Sequence, residues 1–81
     1  MKIPRDISAD DLIKALRKSY GYEVVRQKGS HIRIHSPRNG GHSITIPAHS
    51  PIIIGTLKGI LDDVAQHFVT NRDSVQQELF E

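Results

Sequence analysis

Cysteine is absent from the 81 residues, and that gap removes three kinds of chemistry together. No disulfide can staple the fold, no thiolate zinc site can organise it, and no cysteine can act as a nucleophile. Apolar length is also missing. The longest hydrophobic stretch is Ile52-Ile53-Ile54, where a bilayer span needs about 18 residues. Met1-Lys2-Ile3-Pro4-Arg5-Asp6 opens with no apolar h-region, so no secretory leader is expected and the expected location is cytoplasmic. Hydrophobic residues make up 37% of the chain, below the roughly 45–50% of an average soluble domain, which leaves a thin core. Residues 1–81 therefore form one small domain, with no repeat, low-complexity tract or linker.

Charge is present but uneven. Residues 1–61 carry ten Lys and Arg against four Asp and Glu, whereas residues 62–81 carry one against five. A basic body suits a polyanion, because each cation that neutralises a phosphate releases counterions. The acidic tail would then lie away from that surface or cover it.

Periodicity gives the elements. Ser8 is an N-cap candidate, Asp10 and Asp11 follow in the first turn, and Leu12, Ile13, Leu16 and Tyr20 recur at helical spacing until Gly21, so a helix is expected over about 9–20. Three strands follow, Tyr22 to Lys28, His31 to Ser36 and His42 to Ile46, joined by Gly29-Ser30 and by Pro37-Arg38-Asn39-Gly40-Gly41. In the second, Ile32 and Ile34 share one face and His31, Arg33 and His35 the other; in the third, Ile44 and Ile46 oppose Ser43 and Thr45. The first strand is ambiguous, since either Val24 or Val25 could point inward. Pro47 to Ile54, with its two prolines, reads as a loop crossing back. Leu57, Ile60, Leu61, Val64 and Phe68 mark a second helix with Lys58, Asp62 and Gln66 toward water. Thr70 or Asn71 could cap a further segment carrying Val75, Leu79 and Phe80. The fold class is α+β, with two helices on one face of a three-stranded antiparallel sheet in the order α-β-β-β-α. The core spans about 8–68, a short helical extension occupies about 69–81, and the other sheet face is open.

Five histidines raise metal, catalytic and surface roles. His31 and His35 sit four apart on a strand, too far for easy chelation, and no H-E-x-x-H motif appears, so no metal site and no cofactor are expected. His42 and His67 read as surface or packing residues. Gly29-Ser30-His31 is more telling: a tight turn delivers an imidazole onto the polar face beside Arg33, with Arg26 and Lys28 on the preceding strand. Imidazole can take a proton at neutral pH, and neighbouring cations can hold a phosphate while a ribose 2′-hydroxyl is activated. A histidine at a hairpin is also often merely exposed, and spacing alone does not separate the two readings.

The run Val25-Arg26-Gln27-Lys28-Gly29-Ser30-His31 resembles the signature hairpin of HicA toxins. Ile44-Thr45-Ile46-Pro47-Ala48-His49, followed by Gly55-Thr56-Leu57-Lys58-Gly59-Ile60-Leu61, is similar to that family's second block. The likeness covers about residues 8–68. It implies a double-stranded-RNA-binding-domain-like fold and a toxin of a type II toxin-antitoxin system that cleaves mRNA without a metal. It further implies His31 as the catalytic histidine and a HicB-type antitoxin as partner, the toxin being a monomer alone or a heteromer with it. Arg26, Lys28, Ser30, Arg33, His35, His49 and Lys58 are the candidate contacts to RNA and phosphate. For His49 the roles of general acid, phosphate ligand and loop histidine stay open.

Two departures bear on activity. Ser50-Pro51-Ile52-Ile53-Ile54 replaces a polar, lysine-containing loop, and Ile34 stands where many members carry an aromatic residue that could stack on a base. The competing functions are a non-catalytic double-stranded-RNA-binding module and a decayed toxin acting as a protein-interaction domain.

Overall fold

The first helical amides need an acceptor, and Ser8 supplies one. In the computed structural model, which describes residues 6–81, Ser8 Oγ accepts from Asp11 N at 3.1 Å. The expected leaderless start over Met1–Arg5 lies outside the described residues. Helix α1, Ala9–Tyr20, ends at Gly21, whose φ of 76° lies in the left-handed region that glycine tolerates. Its Ala9, Leu12, Ile13 and Leu16 are buried.

Strands β1 (Glu23–Lys28), β2 (His31–Ser36) and β3 (His42–Pro47) form an antiparallel sheet in sequence order. Ile32 lies opposite Ile46 and Ile34 opposite Ile44. All four are buried against the helices. Gly29 turns the first hairpin with a φ of 58°, a geometry open to glycine at the first position of a two-residue loop. Tyr22, expected to begin β1, precedes it. Its ring is fully buried, and its N–H extends the cap of α1 by donating to Leu16 O at 3.5 Å.

The open question of β1 is settled by a bulge. Val24 pairs with Ile34 and Arg26 with Arg33, leaving Val25 unmatched. Directly opposed residues share a sheet face, so Val24 turns toward the helices while Arg26 and Lys28 both turn to the open side. Regular alternation would have put residues 24, 26 and 28 together. The extra residue shifts the phase.

Helix α2, Ile54–His67, buries Leu57, Ile60, Leu61, Val64 and Ala65 on the same sheet face. Phe68, expected within its stripe, is the C-cap and packs half-buried beside Tyr20. The loop before α2 splits its grease: Ile52 is buried, its N–H donating to Ile7 O at 2.9 Å, while Ile53 is exposed.

The acidic tail forms α3, Arg72–Phe80, capped by Asn71 Oδ1 accepting from Ser74 N at 2.8 Å. It rests on α1 and α2, away from the open sheet face. Val75 is fully buried, worth about 1.5–3 kcal/mol of transfer free energy. Arg72 grips both oxygens of Asp62 at 2.7 Å, and that hydrogen bonding holds the Asp62 carboxyl below the usual range. The result is α+β: a helix, a three-stranded antiparallel sheet and two helices packing on it, in a double-stranded-RNA-binding-domain-like arrangement. Among the described residues no helix is long and apolar enough to cross a membrane.

Candidate active site

Register builds the site. Lys28 lies opposite His31, Arg26 opposite Arg33, and Arg33 opposite Thr45, so five side chains from three strands meet on the open face. They line a cavity of ≈ 320 Å³. No carboxylate lines it among the described residues. Arg33 Nη1 donates to Thr45 Oγ1 at 3.1 Å, which holds one guanidinium over the floor. Thr45 was not among the candidate contacts; its signal was the alternation that put it on the polar face of β3, and only register shows that it faces Arg33.

The remaining candidates are placed apart. Ser30 sits in the hairpin turn, and its carbonyl accepts from Ala48 N at 2.7 Å, tying the turn to the segment after β3. His35 shares the open face but hydrogen-bonds Ser43 Oγ through Nδ1 at 2.8 Å, roughly 13 Å along the strand from His31. His49 lines a different cleft, with Ser8, Asp10, Gln27 and Ile32, on the helix side of the sheet. Lys58 is exposed on α2, in the helical layer.

His42 and His67 belong to the structure of the far end. His42 Nδ1 meets the Tyr22 hydroxyl at 2.7 Å and Nε2 meets Asp63 Oδ1 at 3.2 Å. An ionised carboxylate only accepts, so Nε2 carries the proton and Nδ1 accepts from Tyr22. Burial first, then the charge of Asp63 and then Tyr20, push the Tyr22 hydroxyl far above its usual range, keeping it a donor. The His42 ring stacks on His67 at 4.5 Å. His67 Nε2 in turn donates to Arg38 O at 3.0 Å. Sequence spacing carried no sign of this network. Among the described residues no group of three or more His, Asp or Glu is disposed to hold a metal ion.

Fold and site together define a small α+β protein whose open sheet face is basic and bears an exposed histidine. The chain belongs to the HicA toxin family of type II toxin-antitoxin systems: the family model described as HicA toxin of bacterial toxin-antitoxin matches residues 9–65. Neither the curated proteins nor the solved structures gave a match. The matched span runs from the start of α1 through most of α2 and takes in the whole cavity; α3 lies beyond it.

Proposed function

We propose that the protein is a metal-independent mRNA endoribonuclease, the toxin of its pair. The observation that carries this reading is the convergence of His31 with Arg26, Lys28 and Arg33 around one carboxylate-free cavity. His31 is exposed and its side chain makes no hydrogen bond within the described residues, so its ring is free to take the proton of a ribose 2′-hydroxyl. The freed oxygen attacks the adjacent phosphorus. Negative charge gathering on the non-bridging oxygens is met by the three cations. The bond to the 5′-oxygen then breaks, that oxygen leaving with a proton supplied by solvent or an acid, and a 2′,3′-cyclic phosphate remains. A positioned general base contributes about 10²–10⁴-fold.

A HicB-type antitoxin would neutralise the toxin by covering this basic face, and the place of action would be the cytoplasm. The test is cleavage of a labelled mRNA by purified protein in EDTA, with His31→Ala beside it and RNA binding measured at the same salt. Wild type should cut while the variant binds without cutting. Equal binding with no cleavage by either would instead make the chain a binding module.

A further inference from the structure

We infer that a second cleft, on the helix side of the same hairpin, reads a nucleobase beside the cut, an inference that rests on the ribonuclease reading above. Gln27 and Ile32 lie opposite each other and face the helices, whereas their chain neighbours Lys28 and His31 face the open side. The two cavities are therefore back to back across the hairpin end. The hydrogen bond from Ala48 N to Ser30 O clamps the loop bearing His49 to that same turn. An RNA strand rounding Gly29-Ser30 with a phosphate at His31 brings a flanking nucleotide to the other side.

The linings divide the labour. The His31 cavity holds cations and no carboxylate, which suits phosphate. The second cleft, of ≈ 250 Å³, holds the Asp10 carboxylate, the Gln27 amide, the His49 ring and an apolar floor at Ile32. A carboxylate repels phosphate but accepts from an exocyclic amino group, an amide can bond a base edge, and an imidazole can stack on a base face. The Asp10 carboxylate and the His49 ring make no hydrogen bond within the described residues, so those functions are available. Asp10, Gln27 and Ile32 also border an adjoining groove along α1 that has Lys14 on its rim, a cation for the next phosphate. Adenine, cytosine and guanine carry the amino group that Asp10 requires. Uracil does not.

Matched short RNAs differing only in the nucleotide flanking the cut distinguish these bases. The wild type should cleave at least one of the adenine, cytosine or guanine substrates in preference to the uracil substrate, and Asp10→Asn should lower that ratio of kcat/KM about tenfold. Circular dichroism would verify that the variant folds; should it not, Gln27→Leu carries the same readout. His49→Ala should raise KM for every substrate several-fold. Equal cleavage of all four RNAs by the wild type, or a ratio unchanged by both Asp10→Asn and Gln27→Leu, would overturn the inference while leaving the ribonuclease intact. No cleavage of any RNA by the wild type would overturn both.

Discussion

At the hairpin end of the sheet, His31 stands exposed among cations with neither ring nitrogen bonded within the described residues, whereas at the opposite end His42 has both nitrogens engaged and lies stacked on His67. One residue type serves two purposes, and partners decide which. A histidine held by a buried phenol and a carboxylate has spent its hydrogen-bonding capacity on the fold. A histidine in an open, carboxylate-free cavity keeps that capacity for a ligand.

Breaking each end in turn sharpens the contrast. His31→Ala should slow cleavage by about 10²–10⁴-fold and leave the melting temperature unchanged, as paired activity and calorimetry measurements would show. His42→Ala should do the reverse, destabilising by about 1–3 kcal/mol because the buried Tyr22 hydroxyl loses its acceptor. Its cleavage rate per folded molecule should match wild type, with stability read from urea titration.

Tyr22 also gives the far end a pH signature. Its hydroxyl holds its proton in the folded protein well beyond the pH, about 10, at which the unfolded chain releases it. The folded state therefore binds more protons in the alkaline range, and stability that is complete below about pH 10 declines as pH rises above it. Urea titrations from pH 8 to 11 should show that decline, and Tyr22→Phe should flatten it. The smallest effect concerns Val69, exposed at the end of α2 with a φ of 55°, a strained conformation for a β-branched residue. Val69→Gly should stabilise by up to about 1 kcal/mol without altering cleavage.

The parts of this fold that local rules govern were legible in the sequence. Ser8 and Gly21 marked the ends of α1, and the alternation of Ile32, Ile34, Ile44 and Ile46 named the buried sheet face. What could not be read depended on register or on distant partners. The facing of β1 turned on one unmatched residue, which periodicity registers only as two adjacent valines. Tyr22 reads as a strand residue because aromatics favour strands, yet its ring fills the core and its hydroxyl meets a histidine twenty positions later. In the site, Arg26, Lys28, His31 and Arg33 followed from hairpin pairing, but Thr45 needed the β2–β3 register. His49 follows a strand that ends beside His31 and still lies on the other side of the sheet. The tail's apolar spacing marked a further helical segment, and the buried Val75 shows that α3 completes the core.

The bulge in β1 also bears on how the chain's length can change. Val25 is one residue more than the pairing uses, so a chain shortened by that position would keep Val24 inward and Arg26 and Lys28 outward. Deleting Gln27 would instead bring Arg26 and Lys28 to opposite sides. Tolerance to loss of one residue is therefore concentrated at a single point of the strand, and the basic face can survive a change in length there that it could not survive two positions later.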